Sequence, residues 1–302
     1  MHKNRHFLGI ILALTNAFML ATMSLFAKML SSYFGAIDVT FFRNVFSLLA
    51  LFIFLAATGK LAKLKTRRPW AHLFRGTIGT IGIVSGMWAL SMMPLAETTI
   101  LLFTSPLFVV LLSYPVLGEK VGPYRLGAVL TGFIGVIVAL QPSHDVTALP
   151  LLGIIAGLLW GFFAGCVDLC LRWIGKTENA TATTFYFVLL GTVTTGLHIP
   201  FAAPPQNGST LEILLIICGL GLSGLLSLLA KTQSFKFGEA AFLSPIMYTM
   251  IFWTMIFDYV LLDKWPSTNM IYGSALIIAS NIFILYRQNR VRISRTKTHT
   301  SP

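Results

Sequence analysis

Ten membrane-crossing helices, arranged as two five-helix repeats of opposite orientation, are expected from three features of this chain. Its composition is too apolar for water, its apolar runs recur at the length of a bilayer, and its cations alternate between successive loops. The 302 residues are 56% hydrophobic and only 11% charged, with a mean hydropathy of +0.79. A soluble domain carries roughly a quarter charged residues, so this chain cannot cover a globular surface with charge. Lipid is its solvent. Within lipid the backbone must satisfy itself, which makes the all-α fold the expected class.

Each span is read from an apolar run of about 20 residues, the length that crosses a hydrocarbon core roughly 30 Å thick. The runs fall at 7–30, 37–58, 76–92, 95–116, 123–141, 150–173, 181–201, 211–231, 239–262 and 268–287. The first reads as a span rather than a cleavable signal, because no small-residue cleavage site follows a short apolar core. The second contains Arg43 and Asn44, and the third is rich in glycine. The fourth and ninth contain Pro106 and Pro245, which remove a backbone donor and break helices. The fifth follows a Gly-Pro pair.

The connecting loops alternate in charge. Of the 22 Lys and Arg residues, all but Lys28, Arg43 and Lys264 fall on one side of the expected topology, with Arg75 assigned to the basic loop 59–75. Cations in short loops mark the cytoplasmic side, so both termini are expected there, in a bacterial inner membrane. The net charge of +12 is therefore topological and not a nucleic-acid footprint. The basic tail, 288–302, is expected to be a disordered anchor that can touch anionic lipid. Cys166, Cys170 and Cys218 sit in apolar runs without further ligands and read as small buried hydrophobes, with no metal or cofactor implied.

An internal repeat supports two halves, 1–142 and 150–287. At a shift of 144, "GIILALTNAFMLATMSLFAK" (9–28) lies on "GIIAGLLWGFFAGCVDLCLR" (153–172), and Lys28 falls on Arg172. At a shift of 142, Gly79, Gly82, Ser85 and Glu97 fall on Gly221, Gly224, Ser227 and Glu239. Five is odd, so the second copy enters from the opposite side. Inverted repeats are the usual architecture of alternating-access carriers, with the site near the midplane between the repeats. Gly79, Gly82, Gly221 and Gly224 are expected at helix–helix seams, where small residues allow close approach.

Four stretches, "VTFFRN", "RPWAHLFRG", "AETTILLFTSPLFVVLLSYPVLGEKVGPYRLGAVLTGFIGVIVALQP" and "GEAAFLSPIMYTMIFWTMIFDYVLLDKWPS", resemble the EamA-type family of the drug/metabolite transporter superfamily. In the second copy of the "LGEK" mark, "LLDK", Asp263 replaces the usual Glu. The resemblance implies ten helices, two inverted repeats and no ATP site. "FFR" and "RPWAHLFRG" look closest to the branch of S-adenosylmethionine uptake carriers.

Several residues are candidates for function. An Arg at a helix centre costs roughly 2.5–3.5 kcal/mol and usually faces a bundle interior. Arg43 has Phe187 as its repeat counterpart, so architecture alone does not demand it. Its guanidinium suits a carboxylate; the alternative is a snorkelling Arg, or one paired with Asp38. Trp88, Trp160 (the counterpart of Asn16) and Tyr248 are candidate cavity-lining groups, set against plain core packing. Glu97 and Glu239 are candidates for proton coupling, or simply compensate a helix dipole. Pairing of Lys28 with Asp38 and of Asp168 with Arg172 is expected, and His198 reads as interfacial.

The expected function is a secondary transporter for a small organic metabolite, S-adenosylmethionine or an amino-acid-like solute, working by rocking of one half against the other. An exporter of amino acids or drugs and a riboflavin- or nucleotide-type carrier are the alternatives. A membrane-embedded lipid-modifying enzyme needs clustered His and carboxylates for acid–base chemistry, and the ten acids here are scattered. The expected partners are substrate and bilayer. Nothing in the sequence fixes an oligomeric state.

Overall fold

The structure, a computed structural model, describes residues 2–118, 122–141, 149–174, 177–199, 209–237 and 244–298, and it is helical throughout its regular elements. Helices α1 (His2–Leu30) and α2 (Ala36–Ala57) are followed by a 3-10 turn (Leu61–Leu64) and α3 (Pro69–Met92). Then come α4 (Leu95–Leu102), α5 (Ser105–Leu117), α6 (Pro123–Leu140), α7 (Leu151–Ile174), α8 (Ala180–Gly196) and α9 (Thr210–Phe237). A second 3-10 turn (Ser244–Tyr248) leads into α10 (Thr249–Leu262) and α11 (Thr268–Thr298). Six apolar stretches are long enough to cross a bilayer, and three shorter apolar helices accompany them.

Local chemistry sets many of the ends. Pro69, Pro106 and Pro123 occupy the first turns of α3, α5 and α6, where a missing N–H costs nothing. Asn179 caps α8 by accepting the Thr181 N–H. Gly118 closes α5 with φ +67° and Asp263 closes α10 with φ +53°, both in the left-handed region that ends helices. Two boundaries and one burial differ from expectation. Pro69 starts α3 seven residues earlier than the glycine-rich run suggested, which moves Arg75 from a loop into the helix. The basic tail is not irregular: α11 continues through it to Thr298. Cys218 is exposed, while Cys170 is buried.

The fourth apolar run is broken where Pro106 required. α4 ends at Leu102 and α5 begins at Ser105, with Thr104 Oγ1 donating to the Leu101 carbonyl (2.6 Å). In the second half the turn holding Pro245 precedes α10. The two breaks meet: Phe103 and Tyr248 pack edge to face, 4.9 Å between ring centroids.

Pairing between halves is systematic. α1 packs on α9 and α3 on α7, whereas α2 meets α8, α4 meets α10 and α6 meets α11. Exchanging the halves maps this set of contacts onto itself. The glycines make the close approaches. On α3, Gly79 receives Phe187, Gly82 receives Phe163 and Gly86 receives Trp160. On α9, Gly219 receives Phe26, Gly221 receives Phe46 and Gly224 receives Met23. A third stripe, Gly153, Gly157, Gly161 and Gly165 on α7, seats the end of α3, α4 and the start of α5.

Two apolar clusters seal the molecule at the end containing Lys28. One joins Met23, Leu25 and Leu30 to Met87, Leu90, Leu95, Ile216 and Leu220. The other joins Met93, Ala96 and Ile100 to Ala156, Ile251 and Met270. Both clusters span the two halves.

A Cβ built on Gly82 would lie 2.9 Å from the Phe163 Cβ, whereas one on Gly127 meets nothing within 4 Å. Gly82→Leu is therefore expected to cost about 1–3 kcal/mol or more through overpacking. Gly127→Leu is expected to be tolerated. Thermal unfolding of the two detergent-solubilised variants checks the contrast.

Candidate functional site

Two half-buried arginines, Arg43 on α2 and Arg75 on α3, lie on helices that both pack against α8. Arg43, half-buried on α2, directs Nε to the Met23 sulfur on α1 (3.4 Å) and Nη1 to Asn44 Oδ1 (3.2 Å). The alternative pairing with Asp38 is not what the structure shows. Asp38 Oδ1 lies instead 3.0 Å from His198 Nδ1, so His198 is a partner across α2 and α8 and not a lone interfacial group. The Arg43 guanidinium thus points inward, held by a thioether and a neutral amide, both weak partners.

Arg75 lies in the second turn of α3, over the face of Phe187 at 3.9 Å from the ring centroid. Phe187 is the repeat counterpart of Arg43. Arg75 Nε and Nη1 are buried with no hydrogen-bond partner, as are Asn44 Nδ2 and Thr80 Oγ1. The last two flank the same glycine: a Cβ on Gly191 would lie 2.5 Å from Asn44 Nδ2 and 3.3 Å from Thr80 Oγ1. A desolvated cation–π contact supplies up to about 2 kcal/mol, while each unpaired buried donor costs about 1–3 kcal/mol. The ring therefore does not compensate Arg75 for its lost water.

A second polar group lies at the meeting of the broken spans. Asn16, buried on α1, donates Nδ2 to the Met247 sulfur (2.8 Å) and accepts the Ser227 hydroxyl at Oδ1 (2.8 Å). Tyr248, which follows Met247 in the chain, is buried against Phe103, whose carbonyl accepts Asn281 Nδ2 (3.1 Å). Trp160 is half-buried against Gly86. Trp88 is the exception among the expected lining residues. It is 50% exposed, in helical register with exposed Ile81 and Phe74, and opposite the glycine seam of α3. The structure gives no support to it as a wall of the interior.

The third site is a clamp on the α3–α4 junction. Lys28 does not reach Asp38; its Nζ donates to the Met93 carbonyl (2.9 Å) at the end of α3. From the opposite half, Asp258 on α10 accepts the Leu95 N–H (3.0 Å) and the Ala96 N–H (2.8 Å) at the start of α4. A cation thus meets a helix C-terminus and an anion a helix N-terminus, the favourable sense of both dipoles. Glu97, 8% exposed, stands in the first turn of α4 and borders, with Asp258 and Lys264, a cavity of about 500 Å³. Asp258, and not Glu97, accepts the Leu95 and Ala96 N–H groups, and Glu97 is among the residues lining that cavity. Glu239 lies outside the described residues, as do the side chains of Arg172 and Pro245.

Arg75, Asp258 and Thr80 were not singled out by sequence reasoning, although two of them carried a signal. Pro69 marks a helix start and puts Arg75 six residues inside it. Asp258 interrupts the apolar run 249–262 much as Arg43 interrupts the second span.

These features place the chain among helical membrane transporters built from two similar halves. The EamA-like transporter family matches residues 7–141 and 151–286, and the chain belongs to that family. It is a transporter and not an enzyme. The S-adenosylmethionine uptake transporter of Rickettsia bellii is 28% identical over 265 residues, covering 87% of this chain and 88% of that protein. The riboflavin transporter of Rhizobium johnstonii is 29% identical over 261 residues, covering 85% and 83% respectively. A solved protein structure with 19% identity matches at a TM-score of 0.57 over 96% of this chain and 98% of that one, a likeness of fold.

Asp258→Ala leaves the Leu95 and Ala96 N–H groups without their acceptor. The expected loss is about 1–2 kcal/mol, by analogy with removing a helix cap, and a fall in the unfolding midpoint of about 2–4 °C. Asp258→Asn, which keeps one acceptor oxygen, loses less. Scanning fluorimetry on the solubilised variants measures both.

Proposed function

We propose that the protein is a secondary carrier that moves a small organic metabolite across a bacterial inner membrane by alternating access. Ten spans, counting α4 with α5 as one and the second 3-10 turn with α10 as another, form two inverted repeats over 1–142 and 150–287. Both termini face the cytoplasm. The observation that carries the reading is the Arg43 guanidinium, held among the described residues by a thioether and an amide. Such a group suits a carboxylate that arrives and leaves. The relative named as an S-adenosylmethionine uptake transporter supports S-adenosylmethionine or an amino-acid-like solute as cargo, since both carry a carboxylate. Asn16 and Tyr248, beside the broken spans, and Trp160 on its glycine seam line the path. In this state the seal at the Lys28 end is closed, and opening it requires release of the Asp258 clamp. Glu97, buried beside that clamp, is the candidate for proton coupling. A second reading, a riboflavin-type cargo, is favoured by the relative named as a riboflavin transporter.

Uptake of labelled S-adenosylmethionine is the test, in cells making the wild-type protein or Arg43→Ala, with unlabelled amino acids and riboflavin as competitors. Wild type is expected to accumulate label above empty cells. Arg43→Ala is expected to lose at least about tenfold, the loss of roughly 1.4 kcal/mol of binding, with unchanged protein in the membrane. Full uptake by a well-expressed Arg43→Ala would falsify the role given to that guanidinium. Uptake blocked by riboflavin and not by methionine would favour the second cargo.

A further inference from the structure

We infer that Arg75 joins Arg43 in a two-guanidinium pocket between α2, α3 and α8, and that this pocket binds an oxyanion of the cargo, a carboxylate or a phosphate. The inference rests on the transport reading above and narrows its substrate class to acid-bearing metabolites.

Four observations converge. First, among the described residues no carboxylate lies within 4 Å of either guanidinium; the ion pairs found are His72–Glu178 and His198–Asp38. Second, the unpartnered atoms are mostly donors. Arg75 Nε and Nη1 and Asn44 Nδ2 are all buried and unbonded, and Thr80 Oγ1 is free to donate. Third, Asn44 is oriented by Arg43: its Oδ1 takes the Arg43 Nη1 proton, so its amide N–H groups face Thr80 and Gly191. The amide thus removes an acceptor from the pocket and adds a donor. Fourth, Phe187 covers the flat face of Arg75. Guanidinium donors lie in the plane of the group, so a ring over the guanidinium restrains the fork without taking up its N–H groups.

A group of donors with two fixed positive charges and, among the described residues, no carboxylate within 4 Å is matched to an oxyanion, and it disfavours a cargo that is cationic throughout. The same chemistry is offered by a carboxylate on an amino-acid-like compound and by a phosphate on a nucleotide-like one. Neither group belongs to riboflavin itself. Repeat symmetry reinforces the assignment. Arg43 and its counterpart Phe187 occupy equivalent places, and the second half supplies a ring there that holds another arginine.

The experiment measures equilibrium binding to the purified, detergent-solubilised full chain, using matched pairs that differ only in the acid. The pairs are S-adenosylmethionine with its decarboxylated form, and riboflavin 5′-phosphate with riboflavin. Succinate and inorganic phosphate serve as minimal probes. The acid-bearing member of at least one pair is expected to bind at least about tenfold more tightly; the carboxylate pair and the phosphate pair separate the two sources. Arg75→Gln is expected to erase that difference, and Arg75→Lys to keep part of it. Equal binding within both pairs, no binding of any acid-bearing probe by folded wild type, or undiminished discrimination in Arg75→Gln overturns the inference. The wild-type comparison decides even if Arg75→Gln does not fold. Translocation is not read in this assay. A carrier that takes up label without discriminating refutes the pocket alone, and a discriminating protein without uptake refutes the transport reading alone.

Discussion

Close approach of helices is the constraint on which this architecture rests. In a bilayer, lipid tails solvate leucine as well as another helix does, so association must come from van der Waals contact and a few hydrogen bonds. Glycine supplies the contact by removing the side chain that would hold two backbones apart. α3 admits Phe163 and Trp160 of α7 at Gly82 and Gly86, and α9 admits Phe26 and Met23 of α1 at Gly219 and Gly224. On the other flank Gly135 and Gly273 bring α6 and α11 so near that a Cβ on the first would stand 2.9 Å from the carbonyl of the second. These seams run between the halves of the chain. They fix where each remaining side chain points.

Against this near-symmetric frame the polar groups are unevenly distributed. Arg43 and Arg75 both come from the first half, and Phe187 of the second half is the surface on which one of them rests. Asn16 comes from the first half and takes its partners, Met247 and Ser227, from the second. Asp258 comes from the second half and holds the start of α4 in the first. The packing repeats while the chemistry does not. That is the expected division of labour when one scaffold must bind a small, asymmetric solute.

The frame was legible in the sequence because its signals are local. Apolar length, Pro106 and the spaced glycines each act within a few residues, and the helices follow them closely. The site was legible only in part. Arg43 announced itself by its cost in an apolar run. Its true neighbours did not, because they depend on the rotation of α2 about its axis and on which helix lies beyond. The basic character of residues 59–75 hid Arg75, since a cation near a cationic loop reads as one more topological charge. Trp88 shows the converse: aromatic identity says nothing about facing, and the residue is half-exposed on the side of α3 away from the seam. Lys28 and Asp38 were placed near each other correctly along the chain, but each found a partner on a more distant helix.

The pairing of α1 with α9 bears on how the chain is made. Once α1 has entered the membrane, its glycine-bearing partner is still unsynthesised, since Thr210 follows Leu30 by most of the polypeptide. At roughly 5–20 residues per second the interval is on the order of 10–40 s. Throughout that time Met23 and Phe26 face lipid or translocation machinery instead of Gly224 and Gly219. The same holds for the buried guanidinium of Arg75, whose ring, Phe187, emerges only with α8. The first half is therefore a transient with an unfinished surface, and assembly of the second half completes both. Biosynthesis of this protein is a single act of closure, not two successive ones.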